Sequence, residues 1–271
     1  MTSPTPTEIG EAYDSSADLL DQLWGENLHH GYWDDASEDT SFDAATNRLT
    51  DKLAGLLTIN PGARLLDIGC GVGGPALRLA AEHDIEIVGV SISQGQIRRA
   101  NERAADAGLA DRLSFQHADA MDLPFPDESF DLVWALESLH HMPDRWHVIR
   151  QAARILKPGG QMAIGDFLYR PVDGEDHESL ALVRNGVLKL VELDEYKANI
   201  REAGLLPGPS LDVSDQTRPS WSKAAEVFEA SRELAEKHIG AEQFNVTISN
   251  FRGLSEAPTV GYALLTARKP A

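Results

Sequence analysis

Residues 64–74 read Arg64-Leu65-Leu66-Asp67-Ile68-Gly69-Cys70-Gly71-Val72-Gly73-Gly74, a short apolar run that breaks into glycines. The segment that follows, Pro75-Ala76-Leu77-Arg78-Leu79-Ala80-Ala81, has the pattern of a helix. A short apolar run bounded by glycines is typical of a buried strand, and in open α/β sheets a glycine-rich turn joins such a strand to a helix. The stretch therefore predicts a strand, a glycine loop and a helix.

The same alternation continues after this unit. Further strands are predicted near 86–91, 113–117, 130–135 and 161–167, and helices near 94–107 and 145–156. Strands that alternate with helices form right-handed βαβ units, which produce a parallel sheet with helices on both faces. The predicted fold class is α/β, with a doubly wound core.

The segments that flank this core are mainly helical by pattern. A helix is predicted from near Ser41 to a stop at Asn60-Pro61-Gly62. Helices around 174–192 and 220–252 have no place in a minimal sheet, so we assign them to a cap, and a final strand at 261–267 can pair with a short strand at 211–214. The predicted division is an N-terminal helical segment that covers the cofactor (1–58), a cofactor-binding core (59–168), a helical acceptor cap (169–259) and a final sheet strand (260–271).

Composition and charge limit the function classes. The chain has 271 residues, and 24 Lys and Arg against 43 Asp and Glu give a formal net charge of -19. Such an acidic protein repels phosphate backbones and anionic membrane surfaces, so we expect neither nucleic acid nor membrane as a partner. The amino terminus lacks the pattern of a secretory signal, and a single cysteine fits a reducing compartment. We expect a cytoplasmic protein, and the sequence does not indicate its oligomeric state.

The glycine loop is compatible with more than one ligand. Its glycines let a ligand approach the backbone, and their spacing fits the pyrophosphate of a dinucleotide as well as another nucleoside. Asp67, two positions before the first glycine, would repel a pyrophosphate and attract a cation. S-adenosylmethionine carries an ammonium and a sulfonium group, so the carboxylate favours that ligand. A tight turn without a ligand is the structural alternative, and Cys70 is interpreted as a small filler.

Four segments together resemble the class I S-adenosylmethionine-dependent methyltransferases. They are the glycine loop, Asp119-Ala120-Met121, the predicted fourth strand at 130–135 and Leu156-Lys157-Pro158-Gly159-Gly160, and the resemblance covers roughly residues 60–170. It implies a Rossmann-like fold with a seven-stranded, mostly parallel sheet, S-adenosylmethionine as cofactor and S-adenosylhomocysteine as product. The cofactor-binding residues implied by the resemblance are Asp67, Gly69, Cys70, Gly71, Ile92, Asp119, Ala120 and Ala135.

The chain departs from the usual family pattern at the end of the second strand. Many class I methyltransferases have an acid there for the ribose hydroxyls, whereas this chain has Ser91-Ile92-Ser93-Gln94-Gly95-Gln96. The segment resembles the branch that contains cyclopropane-fatty-acid synthases and small-molecule methyltransferases. We therefore assign the ribose to Ser91 and Gln96, since a hydroxyl and an amide can both donate and accept hydrogen bonds to a diol.

Two further segments are similar to actinobacterial natural-product sugar O-methyltransferases of the rebeccamycin and demethylrifamycin types. They are Trp24-Gly25-Glu26-Asn27-Leu28-His29-His30-Gly31-Tyr32-Trp33 and Trp134-Ala135-Leu136-Glu137-Ser138-Leu139-His140-His141-Met142-Pro143-Asp144. In that group the amino-terminal aromatic segment folds over the cofactor, which makes Tyr13, Trp24 and His30 candidate cofactor contacts. The alternative is that these residues pack a helix on the sheet edge.

Methyl transfer to a hydroxyl requires alignment of the two reactants and removal of a proton, for which histidine has a suitable pKa. His140 and His141 follow the fourth strand, and side chains of adjacent residues alternate on an extended backbone. We therefore expect one base and one positioning residue, with His141 preferred as the base; the alternative is that both hold the loop. Asp166 ends the fifth strand and can orient an imidazole or accept the proton itself.

These observations predict an enzyme that methylates a hydroxyl of a small-molecule natural product, with a sugar hydroxyl as one candidate. C- or N-methylation remains open, and a nicotinamide-dependent oxidoreductase and a non-catalytic cofactor-binding module are further alternatives. No grouping of Asp, Glu and His has metal-ligand spacing, so the predicted reaction is independent of metal. Leu188, Trp221 and Phe228 of the predicted cap indicate a partly apolar acceptor pocket but not the identity of the acceptor.

Overall fold

The computed structural model describes residues 27–35, 38–173 and 188–271. Seven strands are found in these ranges: β1 Arg64–Ile68, β2 Glu86–Ser91, β3 Leu113–His117, β4 Phe130–Leu136, β5 Leu156–Tyr169, β6 Leu206–Asp212 and β7 Val260–Arg268. The helices described are α1 Phe42–Ala54, α2 Gly74–Glu82, α3 Gln94–Asp106, α4 Arg145–Ile155, α5 Leu193–Glu202, α6 Ser214–Thr217, α7 Pro219–Ala230, α8 Arg232–Ile239 and α9 Ala241–Glu256.

All seven strands form one sheet with the order β3-β2-β1-β4-β5-β7-β6. The first five neighbours in this order pair in parallel, whereas β7 lies antiparallel between β5 and β6. The strand order reverses between β1 and β4, so their carboxyl ends border the crevice where open α/β sheets bind ligands. The predicted seven-stranded, mostly parallel, Rossmann-like fold is confirmed.

The hydrophobic core has two layers because neighbouring strand residues point to opposite faces of the sheet. Leu65 packs with α1 and α2 on one face, and Leu66 packs with α4 and α5 on the other. Both leucines are fully buried, as expected for a parallel sheet covered by helices on both sides. The apolar run after Arg64 is therefore a central strand, which fixes the position of the glycine loop.

The helices α7, α8 and α9 have a small core of their own. Phe228, Phe244 and Ile248 pack there with Ala225 and Ala235. The predicted helical segment 220–252 thus corresponds to three helices. Of the helix predicted around 174–192, residues 174–187 lie outside the described residues, and residues 188–192 are not helical.

Two strand boundaries differ from the prediction. The strand expected at 211–214 is β6, Leu206–Asp212, which pairs with β7 as predicted but begins earlier. The turn expected at 157–160 belongs to β5, where the register with β4 shifts between Phe130 and Leu132. In both places the strand contains prolines or glycines, which hide it from a sequence pattern. Within the described ranges, no helix is long and apolar enough to cross a membrane.

Candidate active site

The glycine loop after β1 is shaped by close packing against the end of β4. Gly69 has a φ of +76°, and a Cβ atom at this position would overlap the Cβ of Ser138. The Ser138 hydroxyl donates a hydrogen bond of 2.6 Å to the Ile68 carbonyl. Only glycine satisfies both the backbone conformation and the lack of space. The loop therefore lies against the segment that carries the predicted catalytic histidines.

A cavity opens over this loop at the carboxyl ends of β1, β2 and β4. It brings together most of the predicted cofactor residues, namely Asp67, Gly69, Cys70, Gly71, Ser91, Ile92, Gln96, Asp119 and Ala120. The Ser91 hydroxyl donates to the Gln96 amide oxygen at 2.8 Å. One Asp119 oxygen accepts the Met121 amide N–H at 2.8 Å. Ser91 and Gln96, which are assigned to the ribose, and Asp119 thus line one cavity with orientations fixed by hydrogen bonds.

Asp67 is a buried carboxyl group that lines this cavity. Asp67 is only 3% exposed, and this burial raises the pKa of its carboxyl to about 7. Among the described residues no Lys, Arg or His forms an ion pair with it. A buried carboxylate without a cation is costly, and a positively charged ligand would lower that cost. The residues present therefore fit the ammonium group of S-adenosylmethionine.

Two of the predicted cofactor residues that the structure describes, Ala135 and His30, are not among those that line the cavity. Ala135 is fully buried in β4, in the core on the α4 side of the sheet, because its side chain points away from the cavity. The His30 side chain is hydrogen-bonded to Glu137 and does not line the cavity. Tyr13 and Trp24 lie outside the described residues.

Several residues that line the cavity were missed by the sequence analysis. Leu28 and His29 border it from the segment before α1, and Glu137 and Ser138 border it from the end of β4. His29 is buried and hydrogen-bonded to the His30 carbonyl at 2.8 Å, so it is a structural residue that also contacts the cavity. The available signal was position, since Glu137 and Ser138 directly follow a strand that ends at the crevice.

Glu137 connects the segment before α1 to the core. One carboxylate oxygen accepts a hydrogen bond of 2.7 Å from the His30 backbone N–H. The other accepts a hydrogen bond of 3.0 Å from His30 Nδ1. Burial raises the pKa of Glu137, but the contacts with His30 outweigh it and hold the pKa below its usual value. Glu137 has a φ of +49°, an uncommon backbone conformation that directs this side chain. We call this pair the His30–Glu137 clasp.

The clasp also contacts the helical cap. The His30 ring packs edge-on against Trp221 of α7, with ring centroids 4.4 Å apart. The next residue, Gly31, donates its N–H to the Ser220 hydroxyl at 3.0 Å. The segment before α1 therefore touches the cavity wall and the cap at the same point.

The predicted catalytic residues come together beside the cavity. His140 Nδ1 lies 2.7 Å from Asp166 Oδ1, and both residues are buried. We call this pair the His140–Asp166 dyad. Although burial raises the pKa of Asp166, the neighbouring His140, Arg145 and Tyr196 bring it below its usual value. Asp166 is thus a carboxylate at neutral pH and orients the His140 ring.

The two histidines are not arranged as the extended-backbone argument predicted. Residues Leu139–His141 form a short 3-10 helix, in which the rings of His140 and His141 lie side by side with centroids 3.9 Å apart. His141 lines the cavity, whereas His140 makes the contact with Asp166. Burial, followed by the nearby His140, lowers the pKa of His141 well below its usual value. His141 is therefore neutral at physiological pH.

Comparison with known proteins agrees with this geometry. Residues 66–164 match a family described as a methyltransferase domain. The 27-O-demethylrifamycin SV methyltransferase of Amycolatopsis mediterranei is 61% identical over 273 residues, which cover 100% of both chains. The chain belongs to the class I S-adenosylmethionine-dependent methyltransferases.

Two further relatives extend over nearly the whole chain. The methyltransferase GfsG of Streptomyces halstedii is 38% identical and covers 97% of this chain and 94% of its own. The crystal structure of the [4+2]-cyclase SpnF superposes with a TM-score of 0.88 and 34% identity, covering 100% of this chain and 99% of that one. The chain is similar to both proteins over the core and the cap.

Proposed function

We propose that this enzyme methylates a hydroxyl group of a rifamycin-like natural product. The observation that carries the proposal is the 61% identity, without truncation of either chain, to the 27-O-demethylrifamycin SV methyltransferase. The His140–Asp166 dyad beside the cavity supports it, because an alcohol needs a base to remove its proton. A sugar hydroxyl as acceptor stays a prediction.

The proposed cofactor contacts are those of the cavity wall. When bound, S-adenosylmethionine supplies an electrophilic methyl group and leaves as S-adenosylhomocysteine. Asp67 would pair with its ammonium group, Ser91 and Gln96 would bind the ribose, and Asp119 would bind the adenine. Gly71, where a Cβ would meet only Leu28 at 3.8 Å, would let the ligand approach the loop backbone. These contacts hold the cofactor on the cavity floor, next to the catalytic residues.

We assign the base to His140 rather than to the preferred candidate His141. Asp166 is a carboxylate and accepts only, so His140 must donate from Nδ1; in the neutral ring Nε2 then carries no proton. That nitrogen can take the proton of the acceptor hydroxyl, while Asp166 stabilises the imidazolium that forms. His141 lines the cavity as a neutral side chain and would orient the acceptor.

The domain roles are proposals as well. Residues 59–168 would bind the cofactor, residues 169–259 would form the acceptor pocket and residues 1–58 would cover the cofactor. The cap contributes Trp221, which is half-buried and would contact a bulky acceptor, whereas Phe228 is buried in the core of α7, α8 and α9. A cytoplasmic location and the expectation of no nucleic-acid or membrane partner also remain predictions.

The test is an assay with S-adenosylmethionine and 27-O-demethylrifamycin SV, followed by NMR to locate the new methyl group. We expect attachment to oxygen; attachment to carbon or nitrogen would contradict the proposal. His140→Gln should lower kcat by about 10²- to 10⁴-fold, as expected for loss of a general base. His141→Gln is the matched variant and should mainly raise KM. The reverse pattern would assign the base to His141.

The likeness to a [4+2]-cyclase gives a second candidate function. SpnF shares 34% identity with this chain over its full length, so the same fold carries chemistry other than methyl transfer. Mass spectrometry separates the two functions. A methyltransferase adds the mass of one methylene group to the acceptor, whereas a cyclase changes its structure without changing its mass.

A further inference from the structure

Asp166 is enclosed by more hydrogen-bond donors than a simple histidine–carboxylate pair requires. Its Oδ1 accepts from His140 Nδ1 at 2.7 Å and from the Phe167 backbone N–H at 2.9 Å. Its Oδ2 accepts from the Tyr196 hydroxyl, and the Arg145 guanidinium lies 3.8 Å from the same oxygen. Both oxygens of the fully buried carboxylate are therefore satisfied.

The hydrogen-bond donor Tyr196 and the ion-pair partner Arg145 come from helices behind the active site. Arg145 is the first residue of α4 and Tyr196 lies on α5; they are 5% and 0% exposed. Arg145 Nη1 also donates to the Tyr196 oxygen at 3.3 Å, and its Nη2 donates to the Lys189 carbonyl. Neither side chain lines the cavity, so neither is placed to touch the cofactor.

We propose that Tyr196 and Arg145 are positioning residues for methyl transfer, which act through Asp166 on the base His140. They hold Asp166 ionised and fixed in place, and thereby keep the His140 proton on Nδ1 and the lone pair on Nε2. The inference rests on the proposed function, because it concerns the base of that reaction. It assigns roles to two residues that the sequence motifs do not include.

The hydrogen-bond arrangement specifies where each proton lies. Burial and the nearby Asp166 raise the pKa of the Tyr196 phenol well above its usual value, so the phenol keeps its proton and donates it. An ionised carboxylate has no proton to donate, and a guanidinium cannot accept one. His140 must therefore be the donor to Oδ1. A protonated Asp166 would permit the opposite tautomer, in which Nε2 carries the proton and cannot act as a base.

The Tyr196 hydroxyl and the Arg145 charge also adjust the strength of His140 as a base. A hydrogen bond and a nearby positive charge stabilise the carboxylate and reduce its attraction for the His140 imidazolium. If Tyr196 loses its hydroxyl, Asp166 interacts more strongly with His140, and the imidazolium holds its proton to a higher pH. The other ionisable groups that interact with Asp166 are His141, Tyr262 and Arg145, and Tyr196→Phe retains all three.

The test compares Tyr196→Phe with the wild type in the pH profile of kcat, with saturating S-adenosylmethionine and 27-O-demethylrifamycin SV, because the profile of kcat/KM would also report the pKa of Asp67. We expect the acid limb of the profile to move upward by about one pH unit, the shift that corresponds to one hydrogen bond to a charged group. Tyr262→Phe is the matched control, since it removes another buried phenol, one that lies in the core on the other face of the sheet and whose oxygen has no hydrogen-bond partner among the described residues. Its acid limb should stay at the wild-type position.

A second measurement does not depend on turnover. In protein labelled with 15N-histidine and saturated with S-adenosylhomocysteine, the His140 signal is assigned from its absence in His140→Gln. The ring should show the Nδ1–H tautomer at high pH, and its pKa should rise in Tyr196→Phe but not in Tyr262→Phe.

The outcomes separate the inference from the proposed function. A folded Tyr196→Phe variant with an unchanged His140 titration overturns the inference, even if methyl transfer is normal. If no acceptor is methylated, the proposed function fails while the NMR titration still tests the positioning roles. If Tyr196→Phe does not fold, Arg145→Gln takes its place; it removes the positive charge and should move the titration in the same direction, and no movement overturns the inference.

Discussion

The buried carboxyl of Asp67 should couple cofactor binding to pH. With a pKa of about 7, this group is about 90% protonated at pH 6 and about 10% protonated at pH 8 in the free protein. A bound ammonium group stabilises the carboxylate, so S-adenosylhomocysteine should bind the ionised form. Binding should therefore release about 0.9 proton at pH 6 and about 0.1 proton at pH 8. The Kd should rise about tenfold from pH 8 to pH 6.

Isothermal titration calorimetry in buffers of different ionisation enthalpy measures this proton release directly. Asp67→Asn should abolish this proton release. It should also weaken the binding of S-adenosylhomocysteine by about ten- to hundredfold, because one hydrogen bond to a charged group is lost. His141 does not interfere, since its pKa lies well below its usual value. A wild-type protein that releases no proton at pH 6, or an Asp67→Asn variant that still releases one, would refute the reasoning.

Asp67→Asn should weaken cofactor binding but should increase the stability of the free protein. The pKa of Asp67 is higher in the folded protein than in the unfolded chain, so the folded state loses stability as pH rises from about 4 to 7. The loss is complete above pH 7 and amounts to at most about 4 kcal/mol for a shift of about three pH units. Without ligand at pH 8, urea unfolding should find Asp67→Asn more stable than the wild type. At pH 4 the two proteins should be similar.

Two other positions give matched comparisons. Gly69→Ala should lower the free energy of unfolding by about 2 to 4 kcal/mol in urea titrations. The added Cβ would overlap Ser138, and the positive φ would also strain the backbone of an alanine. Gly62→Ala has nearly the same φ but open space around it, and should cost only about 1 kcal/mol; equal losses would show that packing is unimportant at Gly69. Glu137→Gln should lower the melting temperature by loosening its contact with His30, at a cost of about 1.5 to 3 kcal/mol. Glu86→Gln, which removes an exposed ion pair, should change stability by less than about 1 kcal/mol, and a similar loss in both variants would contradict the importance of the clasp.

Local patterns predicted the fold because each element of the core carries its own signal. The run from Arg64 to the glycines, and the alternation that follows, identify the parallel strands and their crossover helices. The edge strand β6 carries a weak signal, since Pro207 and Pro209 interrupt it and its burial does not alternate. Its pairing depends on β7, which lies about fifty residues further along the chain.

The cofactor side of the site was predictable for the same topological reason. Side chains that directly follow parallel strands meet at one edge of the sheet, so Asp67, Ser91 and Asp119 could be placed together. Contacts between distant segments were not predictable. The hydrogen bond between His30 and Glu137 joins residues that are 107 positions apart in the sequence. It depends on tertiary packing alone.

The arrangement of the catalytic histidines shows a different limit. The alternation argument assumed an extended backbone, but Leu139–His141 turn in a 3-10 helix and bring both rings to one side. The sequence identified His140, His141 and Asp166, but which histidine meets the carboxylate follows from that turn. Tyr196 carries no sequence signal at all, because a tyrosine at a buried helical position is ordinary core composition.

The position of β7 has a consequence for biosynthesis. This strand consists of residues 260–268 but occupies an inner place in the sheet, between β5 and β6. The ribosome therefore releases the entire cap before the strand that closes the sheet is available. Until then the edge of β5 is unpaired and can associate with other chains, so nascent protein should depend on chaperones and be prone to aggregation when translation stalls within the cap.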